Sequence, residues 1–337
     1  MKTPVISRLV FLAFGTVVTA ATCDSPVQRK NFTSLSNEEK LAWVDAEKCL
    51  TTHDAVFGLF DAATTLWDEQ QYLHLTMSNY IHGVASLFKV GQFLPWHRYY
   101  VKLHEYLLQT YCNYTGGMPY WDLQVDADNV TQSAVWDLVY GVGGDGNSSE
   151  SNVVTGGPFA YTEFHVGAYS FNTVIPKAAT YYLNRSISES IFQLASQSSV
   201  DECNEAEVYE DYWDCLGQAP HSAGHAGTGG VMQDPVLSPG DPIFFLHHNN
   251  LDRLWWEWQS MNLTARLTDI SGQNTPSDSF NLQNNWEAPG ANFTNYSGDP
   301  ANVTTLTHVL SLYEMLPNVT VGDVMDIGGD VICAEYV

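Results

Sequence analysis

Two short stretches, HSAGH at 221–225 and LHHNN at 246–250, constrain this chain more than any other feature. His221 and His225 stand at i and i+4, so on a helix they lie one above the other on one face, the spacing that two ligands of one metal require. The HExxH version of that spacing carries Glu directly after the first histidine; here Ser222 and Ala223 follow His221. His247 and His248 are chain neighbours, and neighbours on a helix point about 100° apart, so both cannot face one target. Asp252 falls four residues after His248 on the same helical face, where it can steady an imidazole, and this favours His248 as the third ligand. A chain that uses these histidines together must lay two helices side by side.

The first half offers His53, His74, His82, His97 and His104. At a rise of about 1.5 Å per residue, His97 and His104 on one helix are roughly 10 Å apart and cannot share a metal. His74 and His82 would be some 12 Å apart on an unbroken helix. They converge only if the helix stops before His82, and Gly83, a residue suited to the position just past a helix, permits that. A set of His74 and His97 from two helices, with His82 from the loop between them, is therefore feasible. His53, His104, His165 and His308 have no partner at ligand spacing and read as core or surface residues. Two triads made only of imidazole suit copper, which keeps nitrogen ligands in both its oxidation states; imidazole also suits zinc, so ligand type alone leaves the metal open.

Helix signals recur along the chain. Ser36 can cap a helix over SLSNEEKLAWVDAEKCL, a second runs from about Ala55 through Ile81, and a third starts just after Pro95. Further helices are expected over 186–196, at HSAGH and from near Phe244, while 141–158 reads as a surface loop. Beyond about residue 262, glycine, proline and N-x-S/T sequons dominate, which implies loops and short strands. The expected fold is mainly α, a four-helix-bundle core holding a dinuclear metal site, with a loop-rich periphery and short strands.

The start, MKTPVISRLVFLAFGTVVTAA, reads as a secretory signal peptide over residues 1–21, leaving 22–337 as one domain; its apolar run is too short to span a bilayer. Ten sequons from Asn31 to Asn318 and six cysteines without a CxxC pair agree with a secreted or lumenal glycoprotein carrying up to three disulfides. Cys23 and Cys333 are the pair expected to tie the ends of the mature chain together. A net charge of −25 argues against nucleic acid or an anionic membrane as partner. Oligomeric state is not legible.

Several motifs together resemble the tyrosinase and catechol oxidase family, the type 3 dicopper proteins: FLPWHR at 93–98, PYWD at 119–122, HSAGHAGTGGVM at 221–232 and SPGDPIFFLHHNNLDRLWWEWQ at 238–259. RKNFTSLSNEEKLAWVDAEKCL and the closing DVMDIGGDVICAEYV resemble the short, secreted fungal branch. The resemblance implies that His74, His82 and His97 hold one copper and His221, His225 and His248 the other. His247 would stand behind the ligands, with Asp252 and Arg253 as structural supports. It implies a copper oxidoreductase that uses dioxygen to oxidise a small phenolic substrate to a quinone.

Three departures from the family pattern bear on that activity. The stretch HGVASLFKVGQFLPWH, with Leu87 and Phe88, is longer than members commonly have, and it is expected to reshape the pocket beside the first metal. No cysteine lies close before His82 to form a thioether to it. Ser222 and Gln218 stand where efficient monophenol hydroxylators carry Asn and Glu, and neither can act as a general base. The expectation is oxidation of o-diphenols or o-aminophenols rather than hydroxylation of monophenols, with no covering C-terminal domain to impose latency. Its main rival is a tailoring enzyme dedicated to one secondary metabolite, zinc-dependent and non-redox in one form. An oxygen carrier and a mononuclear hydrolase are weaker alternatives, the second because no Glu is placed as base.

Overall fold

Local sequence signals set where the helices start. The computed structural model describes residues 23–82, 90–170, 173–276 and 298–337; the expected signal peptide, Gly83, and Leu87 and Phe88 lie outside the described residues. After strand β1 (Val27–Arg29), helix α1 (Asn37–Thr52) begins at Ser36, whose hydroxyl accepts from the Glu39 N–H while the Glu39 carboxylate accepts from the Ser36 N–H. Helix α2 (Leu66–Ile81) is capped in the same reciprocal way by Thr65 and Asp68. It starts at Leu66 rather than near Ala55. The Glu69 carboxylate reaches back to accept from the N–H groups of Val56, Phe57 and Gly58 at 2.8, 2.8 and 2.5 Å, and so fixes that stretch as a loop. Helix α3 (Phe93–Tyr111) takes Pro95 inside its first turn, where a missing N–H costs nothing.

The PYWD turn leads into α4 (Leu123–Asp126), and an antiparallel hairpin of β2 (Glu163–Ala168) and β3 (Pro176–Tyr182) lies against α2. The single helix expected over 186–196 is instead α5 (Glu189–Phe192) followed by a 3-10 turn, Gln193–Ala195. Ser196 explains the break: its extended backbone and its side chain cap the next helix, α6 (Gln197–Asn204). Helix α7 (Tyr209–Leu216) is tied to α6 by the Cys203–Cys215 disulfide. It runs through a π-helical turn, Gly217–His221, into α8 (Ser222–Thr228). Then come α9 (Ile243–Ser260), α10 (Leu263–Arg266), the two-residue strands β4 (Val309–Leu310) and β5 (Val319–Thr320), α11 (Val321–Val324) and β6 (Ala334–Tyr336).

Helices α2, α3, α8 and α9 enclose the centre, with Trp67, Trp96, Tyr100, Phe244, Phe245 and Trp255 buried among them. The expected mainly helical core with short peripheral strands is what the chain forms. The first and last described strands meet on this core. β1 and β6 pair in parallel, Val27 opposite Ala334, and the Cys23–Cys333 disulfide joins them as expected. Beneath that pair, Asp252 of α9 accepts from Arg98 of α3, from Arg29 of β1 at 3.2 Å and from the Tyr336 hydroxyl at 2.6 Å. Burial works against the Arg29 charge, but Glu105, Tyr336 and Asp252 outweigh it and push its pKa up. Among the described residues no helix is long and apolar enough to cross a membrane.

Candidate metal centre

His74 sits in the second half of α2, and His82 is the residue just past its end. His82 has an extended backbone (φ −100°, ψ 145°), so its ring leaves the helical track and returns toward His74, as the spacing argument required. His97 comes from the second turn of α3. The three rings have centroids 4.9 Å (His74–His82), 5.7 Å (His74–His97) and 5.6 Å (His82–His97) apart, and one nitrogen of each lies within 4.8 Å of the others. His74 Nδ1 lies 3.0 Å from the Val236 carbonyl and His97 Nδ1 2.8 Å from that of Phe93. A ring nitrogen beside a carbonyl must carry the proton, so Nε2 of each neutral ring offers its lone pair inward. Both Nε2 atoms are buried with no hydrogen-bond partner.

The second cluster gathers His221, His225, His247 and His248, again with one nitrogen of each within 4.8 Å of the rest. His221 closes the π-helical turn that contains Pro220, and His225 lies one turn further along α8. His225 Nδ1 is held by the Met232 carbonyl at 2.8 Å, which turns its Nε2 toward His248 Nε2, 3.2 Å away. Two such nitrogens facing each other across a buried gap are what a shared cation would draw together. The two clusters adjoin, since the His97 and His248 rings stack at 4.4 Å and Phe244 lies 5.2 Å from His74 and 4.2 Å from His248. Loss of hydration, aided by mutual repulsion among the imidazoles, holds the pKa of His82, His97, His221, His247 and His248 well below 6.5. Burial lowers His74 to about 3 and His225 to about 4. The rings are therefore neutral and ready to bind metal at ordinary pH.

The supporting residues are placed less uniformly. Asp252 gives its oxygens to Arg98, Arg29 and Tyr336, and no hydrogen bond joins it to His248, whose Nδ1 is without a partner. It supports α9 rather than the imidazole. Arg253 bridges Asn250, Gln124 and Glu257 and covers the Tyr120 ring. The Ser222 hydroxyl donates to the Gly217 carbonyl, within the π-helical turn, and Gln218 is exposed. His104 is a core residue, held between Glu47 and Gln70 and stacked on Phe245 at 3.5 Å. His53, His165 and His308 bond to Asp54, Asp68 and Asp299 away from both clusters. Sequence reasoning missed the carbonyls of Val236, Phe93 and Met232, because a backbone acceptor leaves no mark on residue type.

Both clusters pass a test for a metal on their own chemistry: buried, neutral nitrogen donors, some of them orphaned, with no carboxylate among the described residues that group with them. Helices enclosing two adjoining all-histidine clusters define a class of dinuclear metal proteins. Residues 64–261 match the family model described as the common central domain of tyrosinase, and the chain belongs to the tyrosinase family. That family binds two coppers through histidines. A tyrosinase-like protein, phomQ1 of Diaporthe leptostromiformis, is 29% identical over 350 residues, covering 98% of this chain and 83% of its own. The N-acetyl-6-hydroxytryptophan oxidase ivoB of Emericella nidulans is 26% identical, covering 91% of each chain. A polyphenol oxidase variant from Thermothelomyces thermophila shares the fold at a TM-score of 0.75 and 25% identity, over 94% of this chain and 90% of its own.

Proposed function

We propose that this chain is a secreted type 3 dicopper oxidase that uses dioxygen to oxidise o-diphenols or o-aminophenols to quinones. His74, His82 and His97 would hold one copper and His221, His225 and His248 the other. The observation that carries the reading is the joining of the two all-imidazole clusters through the stacked His97 and His248 rings. Two coppers bound there would supply the electron transfer between phenol and dioxygen, and two molecules of o-diphenol and one of dioxygen give two of o-quinone and two of water. The protein's part is to fix the rings by Nδ1 bonds to the Val236, Phe93 and Met232 carbonyls, and to keep water away with Phe93, Trp96 and Phe244. The Ser222 hydroxyl is committed to a backbone carbonyl and Gln218 has no basic group, which disfavours hydroxylation of a monophenol. Residues 1–21 as a signal peptide and 22–337 as the mature dicopper domain belong to the same proposal. Three disulfides support an oxidising compartment.

A second reading keeps the site and narrows the substrate to one secondary metabolite. It is favoured by the likeness to a relative named for oxidising a single hydroxylated tryptophan derivative. The test is dioxygen uptake by copper-loaded protein on addition of catechol, with His248→Ala as blank. Uptake that needs His248 supports the general oxidase. Two firmly bound coppers without uptake would leave the dedicated tailoring enzyme, and uptake by the blank would refute the site.

A further inference from the structure

The residue that the dicopper reading leaves without a task is His247. Its ring is fully buried beside the His221 backbone, and no side chain hydrogen-bonds to either nitrogen. It lies in a particular place. A methyl group added at Gly224 would fall 2.2 Å from His247 Cε1, 2.4 Å from Nδ1 and 2.6 Å from Nε2, so the ring sits directly on the Gly224 backbone. The His221 ring stacks beside it with centroids 5.9 Å apart, and the His225 ring meets it edge-on at 5.2 Å. His221, Gly224, His225 and Thr228 stand at i, i+3, i+4 and i+7, the four corners of the hole that one helix offers to a side chain of another. The Thr228 hydroxyl donates to the Gly224 carbonyl at 2.8 Å and braces that hole.

We infer that His247 is a positioning residue: it is the knob from α9 that fills this hole in α8, and Gly224 is bare so that an imidazole can enter. Two rims of the hole are the histidines proposed to hold the second copper. The wedge therefore sets how far His221 and His225 stand from His248, its chain neighbour on α9. A side chain at 224 pushes the His247 ring outward and moves α9 against α8, which changes the distances among the three ligands. This inference rests on the copper assignment above for its consequence, but the steric coupling of Gly224 and His247 is independent of any metal.

The test compares the wild type with Gly224→Ala, His247→Ala and the double variant. Copper per chain is counted after dialysis against a chelator, and melting of the metal-free proteins is measured in parallel. Gly224→Ala is expected to retain the second copper roughly ten- to a hundredfold more weakly, the cost of overpacking a tight contact, while the first copper stays. His247→Ala keeps two coppers but holds the second more weakly than the wild type, because the emptied hole no longer fixes the spacing of His221 and His225. In the double variant the second copper returns, and the metal-free protein melts higher than the sum of the two single effects predicts. A Gly224→Ala protein that binds and melts like the wild type overturns the wedge. So does a double variant no better than Gly224→Ala, including the case in which both fail to fold. If the wild type itself retains no copper, the dicopper reading fails, while the melting cycle still decides the contact.

Discussion

Replacing Asp252 with Ala should cost about 3–5 kcal/mol of folding stability, the price of leaving a buried cation without its counter-charge. The cation in question is Arg98. Its side chain is fully buried, and among the described residues Asp252 is the one carboxylate paired with it. Its other partners are neutral: the Val324 and Met325 carbonyls at 2.9 and 2.8 Å and the Gln259 amide oxygen at 3.1 Å. Arg29 loses the same carboxylate but keeps Glu105 at 3.5 Å, and Tyr336 keeps Asn249, so the cost falls mainly on α3. The guanidinium of Arg98 lies 3.9 Å above the Trp255 ring, and urea unfolding followed by the summed fluorescence of the ten tryptophans reads the global stability. Removing both charges, with Arg98→Met and Asp252→Leu together, should recover much of the loss, because neither group is then desolvated unpaired. The exposed Lys30–Glu39 pair serves as a control that should move little. If Asp252→Ala unfolds within about 1 kcal/mol of the wild type, Arg98 is not left as an uncompensated buried charge and the argument fails.

Acid should weaken the metal-free protein through its histidines. His74 and His225 have folded pKa values of about 3 and about 4, so below pH 6.5 the unfolded chain takes up protons that the folded one refuses. Each group then costs about 1.4 kcal/mol per unit as the pH falls from 6.5 toward its folded value, and nothing above 6.5. A urea midpoint unchanged between pH 7 and pH 5 would contradict this; bound copper should raise the midpoint at both pH values and leave the slope as it is, because the folded rings are already neutral. Replacing Cys23 and Cys333 by Ser should lower stability by roughly 2–4 kcal/mol, since that bond closes a loop spanning 310 residues; an unshifted urea midpoint would show that β1 and β6 need no covalent tie.

The site was more legible than the scaffold, for a physical reason. Histidine clusters announce themselves by residue type and helical spacing, so the grouping of HSAGH with the adjacent histidines could be read directly, and the end of α2 before His82 followed from distance alone. Ser36 with Glu39 marked a helix start because both halves of the cap lie within four residues. The start of α2 was misplaced because Glu69 draws in the N–H groups of Val56 to Gly58, an interaction no helical pattern reports. Helix α6 buries only Val200 and Cys203 and so leaves little periodic signal, whereas α7 carries Tyr209, Tyr212, Trp213 and Leu216 at i, i+3, i+4 and i+7, a helical pattern that residue type alone could have shown. The bare face at Gly224 is legible only once α9 is seen against it.

The measurement that bears most directly on the central claim is the copper content of the native protein beside His248→Ala and His247→Ala, each loaded and dialysed in the same way. The account predicts two coppers in the wild type and in His247→Ala, and one in His248→Ala. One copper in His247→Ala with two in His248→Ala would contradict it, exchanging the roles of the neighbouring histidines.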